Sequence, residues 1–385
     1  MGAFVPLKNV GEHDIKFVGQ KAILLAQKSV SVPFSLVITS NVFEEFIKHN
    51  ELTEEVNILF SNEESSTENL IKGFHTIAPK IMNGKFPLSI SQNLRECFEL
   101  ACLDTKSLDI LQGKKRQPSI LSVRRSTSYN DQDIISKGVS YTKDTYDGFL
   151  DAIKRVYLSV FTPSSVVLRQ KTGVEEFSIA IIVSRLPNIK TCFESSYLVE
   201  QKKLFISSYI GFLDKGKAVQ RDTFDVAVDF LQINNQKITK QNTVSVFDLQ
   251  ENKPAINNFD AGISQSATEQ NILEIARLTK KISGEFDVSS LLAEFVMDAD
   301  KKMYCLDLWT SQNVDSIPHE QEESLELAQD ATNNLHKSII NFLKEYRDSS
   351  YGDAINIILR SLETDSSSQT IVQGILMCKE IIEHH

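Results

Sequence analysis

Apolar positions along the chain change period several times, and each change marks an element. Val32 to Thr39 reads VPFSLVIT, a short buried strand. Asn41 with Glu44 three positions later resembles a capping box. It opens a helix that would bury Val42, Phe43, Phe46 and Ile47. Ile120 to Val123 is a strand preceded by the basic linker Gly113 to Pro118. The clearest helix carries Tyr146, Phe149, Leu150, Ile153, Val156, Tyr157 and Val160 at helical spacing and ends near Thr162-Pro163. Phe177 to Ser184 is an apolar, β-branched strand. Ser196–Val199 and Lys203–Ile206 can pair as a hairpin across Glu200, Gln201 and Lys202. Ser266 with Glu269 marks another capped helix, burying Ile272, Ile275, Ala276, Leu278 and Ile282. Leu291–Met297 and Met303–Leu308 are strands joined by the polar turn Asp298–Lys302. From about Glu322 onward the pattern is helical, with Leu335, Ile339, Phe342 and Leu343 on one face. Helices and strands alternate irregularly, which predicts an α+β fold with antiparallel strands.

Composition narrows the function classes. The chain has 385 residues, 41% of them hydrophobic, enough for a real core of two or three lobes. Lys and Arg number 41 against 51 Asp and Glu, a net charge of -10. That balance argues against a broad basic face for duplex nucleic acid. No apolar run reaches the ~18–20 residues that span a bilayer, and Met1 to Val10 lacks the apolar core of a secretory signal. Five scattered cysteines without a CxxC predict reduced thiols and a cytoplasmic protein, not a disulfide frame or a zinc site.

Four places carry candidate chemistry. Lys21 follows Gly19-Gln20 at a helix start, where backbone N–H groups and an ammonium favour an anion; an ordinary surface lysine fits the same pattern. Arg124 and Arg125 leave the Ile120–Val123 strand into the hydroxyl-rich Ser126-Thr127-Ser128, a setting for phosphate or for a solvated turn with an ion pair. Glu294 and Asp307 lie on the two strands of a hairpin, each inside an apolar stretch. Two oxygen ligands on neighbouring strands suit Mg²⁺, and alternation equally permits both to face solvent. Phe161-Thr162-Pro163 with Arg169 reads mainly as a structural turn after the long helix.

Taken in order, these segments resemble the N-terminal ATP-grasp-type nucleotide-binding domain of the phosphoenolpyruvate synthase and pyruvate phosphate dikinase family. That family opens with a pattern like LGGKGANLAEL, then GIPVPPGFVITT and an aromatic helix. Here Val18 to Leu25 is followed by Val32 to Thr39 and the Phe43/Phe46 helix. The family's VRSSATAED is similar to Val123 to Asp131, its FAGQ glycine to Gly138, and its SLFTDRAIAYR to Ser159 to Arg169. Its VVVQ strand resembles Ile181 to Ser184. Its closing EWA and ILQARP strands resemble Glu294-Phe295-Val296 and Cys305 to Trp309. The resemblance covers roughly residues 6 to 310.

The resemblance implies a two-lobed ATP-grasp-like fold: an N-terminal lobe over 1–112, a second lobe with a metal-binding hairpin over 113–320, and an added helical segment over 321–385. It implies that Lys21 and Arg124, with Arg125 beside them, contact ATP phosphates, and that Glu294 and Asp307 hold Mg²⁺. It also implies a phosphotransferase passing phosphoryl from Mg-ATP to a histidine. A TSHAAI-like histidine motif does not occur here, and about 75 residues follow Trp309, against ~250 for a TIM barrel. The acceptor is therefore expected on a phosphohistidine-bearing partner subunit. Several family positions differ. Gln20 and Ala22 replace glycines, Arg125 the first serine of VRSS, Asn130 an acidic residue, Asp307 a glutamine and Trp309 an arginine. The SGVxFT loop has no counterpart, and GLGE survives only as Gly211-Phe212-Leu213-Asp214. These departures motivate the alternative, a degenerate relative that keeps the fold as a structural or regulatory protein.

Overall fold

The structure, a computed structural model, describes residues 2–26, 31–61, 67–103, 120–127, 138–143, 145–163, 165–167, 179–212, 219–251, 253–263, 265–286 and 288–311, together with Ile340 and Lys344. It is a mixed structure of helices and antiparallel sheets. The first sheet contains β1 (Phe4–Pro6), β2 (Ser35–Ile38), β3 (Ile120–Thr127), β4 (Val139–Lys143) and β5 (Ile179–Arg185), in the order β1-β2-β5-β3-β4. The second contains β6 (Ile189–Leu198), β7 (Lys203–Ile210), β8 (Asp222–Ala227), β9 (Gln232–Lys237), β12 (Ser290–Asp298) and β13 (Met303–Ser311), in the order β13-β12-β6-β7-β8-β9. A separate ribbon pairs β10 (Gln241–Asp248) with β11 (Lys253–Ile263).

The apolar run of β5 is continuous because both faces of its sheet are buried. Ile179, Ile181 and Val183 face a helical layer, while Ala180 and Ile182 face the second sheet. The helical layer is α3 (Ser40–His49), α4 (Thr53–Ser61), α5 (Thr67–Asn83), α6 (Leu88–Cys102) and α7 (Tyr146–Leu158). Aromatic rings fill this core: the Phe43 and Tyr157 centroids lie 4.8 Å apart, edge to face. A second core lies between the sheets. It takes Ala22, Leu24 and Leu25 from α2 (Gln20–Ala26), and Ile272, Ile275, Ala276 and Ile282 from α8 (Glu269–Ser283). The helix α1 (Ile15–Val18) leads into α2 through Gly19.

Among the described residues, the strands and helices read from periodicity are present, with shifted boundaries. The long helix runs Tyr146–Leu158 and continues as a 3-10 turn over Ser159–Phe161. Both expected hairpins form: β6 pairs with β7, and β12 with β13. Two helix starts differ from the capping patterns. Thr39, not Asn41, is the residue before α3, and its hydroxyl donates to the carbonyl of Gly2 at 2.9 Å. Thr268, not Ser266, caps α8, accepting from the Asn271 N–H at 3.3 Å. The Ser266 hydroxyl is drawn instead to buried Asp222, at 2.6 Å. The strand expected to stop at Val123 runs on to Thr127, so Arg124 and Arg125 lie within β3 rather than in a turn.

The first sheet takes strands from both sides of position 112. The linker Gly113–Pro118, both expected domain boundaries and Arg169 lie outside the described residues. So does the expected helical segment 321–385, apart from Ile340, which packs against the helical-layer core, and Lys344. No helix among the described residues is long and apolar enough to cross a membrane.

Cys97, Cys102, Cys192 and Cys305 are all buried and unbridged. Burial pushes the Cys192 thiol up to about 12 and raises those of Cys97 and Cys305 as well. All four are expected to resist a thiol reagent at pH 8 in the native protein and to react fully in denaturant. Peptide mass spectrometry of the labelled protein checks this residue by residue.

Candidate functional site

The site begins with the alternation of β3. Successive side chains of a strand point to opposite faces. Val123 and Arg125 therefore face the helical layer, while Ser122, Arg124 and Ser126 face the second sheet. Arg125 donates to the Ser159 hydroxyl at 3.2 Å. Gly138, at φ +48°, lies against it: a Cβ there would come within 2.8 Å of the Arg125 Cβ. The structure thus places Arg125 on the far side of the sheet from the other candidates.

Arg124 is 1% exposed. A guanidinium that deep requires counter-charges, and the second sheet supplies two. Glu294 and Asp307 face each other directly across β12 and β13, on one face of the sheet. Arg124 Nη1 donates to Asp307 Oδ2 at 2.8 Å and to Glu294 Oε2 at 3.2 Å, and Nε donates to the Ser122 hydroxyl at 2.7 Å. Burial alone would lower its pKa. Neighbouring Tyr141 and the Asp307 carboxylate outweigh burial, so it lies above the ordinary arginine range and stays charged. Arg124 Nη2 is buried with no acceptor among the described residues. The solvent-facing reading of Glu294 and Asp307 does not hold: they are 3% and 0% exposed.

Lys21 completes the cluster. Its Nζ lies 3.2 Å from Asp307 Oδ1 and 4.7 Å from the centre of the Trp309 ring, a cation over an aromatic face. Asp307 Oδ1 also accepts the Leu308 N–H at 3.1 Å. The turn before Lys21 is fixed by Gly19, at φ +77°, where a Cβ would sit 2.4 Å from the Ser126 hydroxyl. That same hydroxyl accepts the Ala22 N–H at 3.1 Å, fastening α2 to β3. Four of the five expected residues, Lys21, Arg124, Glu294 and Asp307, therefore converge from α2, β3, β12 and β13.

Reading by motif missed the neighbours on the same face. Glu194 lies opposite Glu294 on β6 and ion-pairs with Arg221 at 2.5 Å. A groove of about 370 Å³ continues from there across β7, β8 and β9, lined by Phe205, Leu292, Thr223, Asn235 and Lys237 among others. Glu194 and Leu292 belong to the alternation of β6 and β12, the one signal that could have placed them on this face. Thr162, in the turn expected to be structural, bonds to the Ser159 carbonyl at 3.2 Å and the Ser165 hydroxyl at 3.0 Å.

Chemically, the described residues of the cluster offer two cations and two carboxylates, oxygen and nitrogen groups suited to a polyanion and a hard divalent cation. Among the described residues no three metal-ligating side chains gather, so a cation here would draw its remaining ligands from phosphate and water. Because Arg124 bridges two buried carboxylates, Arg124→Ala is expected to cost about 3–5 kcal/mol of stability. Lys21→Ala, which breaks one partly exposed pair, is expected to cost about 1 kcal/mol. Urea unfolding of the two variants checks the contrast.

Known proteins resemble this chain in sequence. A phosphoenolpyruvate synthase of Aquifex aeolicus is 22% identical over 191 residues, covering 46% of this chain and 21% of that protein. Probable phosphoenolpyruvate synthases match too. That of Methanocaldococcus jannaschii is 20% identical over 73% of this chain and 24% of its own length. That of Staphylothermus marinus is 23% identical over 70% of this chain and 33% of its own. The chain thus spans a fifth to a third of these relatives. Among solved structures, N5-carboxyaminoimidazole synthetase from Staphylococcus aureus complexed with ADP matches 68% of this chain and 54% of that chain. The two share 10% identity, with a TM-score of 0.22. The family model described as pyruvate phosphate dikinase, AMP/ATP-binding domain, matches residues 15–326, most of the chain and all four clustered residues, and this chain belongs to that family.

Proposed function

We propose that this domain binds Mg-ATP at the charged cluster where its two sheets meet and passes a phosphoryl group to a histidine on a partner domain or subunit. The observation that carries the reading is the convergence of Lys21, Arg124, Glu294 and Asp307 from both sheets in a chain of an AMP/ATP-binding family. The donor set fits a magnesium ion. Glu294 and Asp307 are adjacent carboxylates, and the two would hold the ion. The ion, when bound, neutralises charge on the phosphates. Lys21 and Arg124 would orient the phosphate oxygens, and burial of the cluster keeps water from competing. In the transfer, the phosphorus–oxygen bond to the leaving nucleotide breaks as a bond to an imidazole nitrogen forms, and the leaving oxygen keeps the electron pair. A two-lobed ATP-grasp arrangement is part of this reading. Two antiparallel sheets facing each other across the cluster support it.

A second reading is a non-catalytic scaffold. The pairing of both cations with internal carboxylates, and the Trp309 ring against Lys21, favour it.

Titration calorimetry of the full chain with Mg-ATP separates the two. The nucleotide reading expects saturable binding that Lys21→Gln weakens by roughly tenfold. Lys21 is the right variant because losing Arg124 would unpair two buried carboxylates. An acid-labile label passed from ATP to a separately produced histidine domain is the expected sign of transfer. A folded protein that takes up no Mg-ATP at millimolar concentration would overturn the nucleotide reading in favour of the scaffold.

A further inference from the structure

The pairing register of the second sheet sets side chains in rows across one face, and neighbouring rows differ sharply in exposure. Val296, Cys192 and Tyr209 stand opposite one another on β12, β6 and β7, each of them 0% exposed. They pack with Leu186, Phe212 and Leu306 in a third, apolar core, and Tyr141 of β4 lies against it. The Tyr141 and Phe212 rings are 5.1 Å apart, edge to face. The next row carries the charges Asp307, Glu294 and Glu194 on β13, β12 and β6. The row beyond it runs Trp309, Leu292, Ser196, Phe205, Asp225 and Asn235 across all six strands. That row is open: Leu292 is 42% and Phe205 47% exposed.

The order of the rows gives the site a direction. On one side of the charged row, apolar side chains fill the space between the sheets. On the other side lies the groove of about 370 Å³, a volume in the range of small-molecule sites. A polyanion whose phosphates reach Lys21 and Arg124 therefore carries the rest of its bulk on the groove side. Trp309 joins the two, with its ring 4.7 Å from Lys21 Nζ and its backbone opposite Leu292. Phe205 stands two strands from Leu292, roughly 10 Å at ~4.8 Å per strand. An extended phosphate and ribose chain covers that separation. The groove then offers a half-exposed aromatic ring, flanked by the Ser196 hydroxyl, the Asp225 carboxylate and the Asn235 amide. A flat apolar face with hydroxyl, carboxylate and amide groups beside it matches the chemistry of a nucleoside.

We propose that this groove is the nucleoside subsite. The base stacks on Phe205, the ribose lies over Ser196 and Leu292, and the far edge of the base meets Asp225 and Asn235. This rests on the nucleotide reading above and adds to it where the nucleoside lies. Phe205 discriminates because it is half-exposed, so replacing it removes the stacking face without opening a core.

The test is calorimetric titration of the full chain with Mg-ATP and with Mg-tripolyphosphate, which has the phosphates and no nucleoside, in wild type and Phe205→Ser. Phe205→Ser is expected to weaken Mg-ATP binding about tenfold and to leave tripolyphosphate binding within about twofold. Equal weakening of both ligands overturns the inference, because Phe205 would then act on the phosphate cluster. So does unchanged ATP binding, which leaves the nucleotide reading standing. If Phe205→Ser binds ATP normally but slows labelling of a histidine domain, the groove receives the acceptor, and the inference is again overturned. If wild type takes up neither ligand, the nucleotide reading falls and the inference with it. Should circular dichroism show that Phe205→Ser does not fold, Leu292→Ser replaces it. It is expected to weaken ATP binding several-fold and to spare tripolyphosphate, and the absence of that difference overturns the inference.

Discussion

A guanidinium buried to 1% exposure cannot stand inside a sheet without charges to answer it, and Arg124 finds both of its carboxylates on the other sheet. That requirement fixes how the two sheets meet. β3 must present Arg124 opposite the Glu294–Asp307 pair, so Ser122 and Ser126 share that face while Val123 and Arg125 turn to the helical layer. α2 must lie between the sheets at the height that brings Lys21 to Asp307. Ser126 secures this by accepting the Ala22 N–H, and Gly19 permits the close approach. Apolar burial in the intervening core supplies most of the driving force. The ion pairs are directional and select the register.

The same four side chains are therefore structural and the strongest candidates for ligand contact. This double use sets a physical tension. A ligand that takes the cations competes with the carboxylates that hold them, and a substitution that frees the cations weakens the joint between the sheets. Trp309 strengthens the resting arrangement by covering Lys21. Sites whose groups are satisfied internally before a ligand arrives respond to the ligand's charge as much as to its shape.

Some of this was legible along the chain. The Tyr146–Leu158 helix declares itself because one face repeats at the helical period. The β12–β13 hairpin shows in two apolar stretches around a polar turn, and its carboxylates stand out because acids inside apolar strands are expensive. Helix starts were less legible. Asn41 and Ser266 each have the right spacing, yet the actual caps are Thr39 and Thr268. Tertiary partners, the Gly2 carbonyl and Asp222, decide where the nearby hydroxyls go. The strands β8 to β11 carry no motif. β9, QINNQK, is a polar edge strand whose pattern alone does not distinguish it from a loop.

The sequence by itself determined the types of the strongly periodic elements, the α+β class, the family and the identities of Lys21, Arg124, Glu294 and Asp307. Each of these depends on local periodicity or on residue type at short spacing. Only the tertiary structure decided what those residues do to one another. Arg124 and Arg125 are neighbours in the chain, but the alternation of β3 and the layers on either side send one to the carboxylates and the other to Ser159. Lys21 and Asp307 lie far apart in the chain, and the packing of α2 against β13 alone brings them within 3.2 Å. A sequence carries charges as a list. Burial and distance decide which of them neutralise each other, because Coulomb energy depends on separation and dielectric, and both are products of the fold.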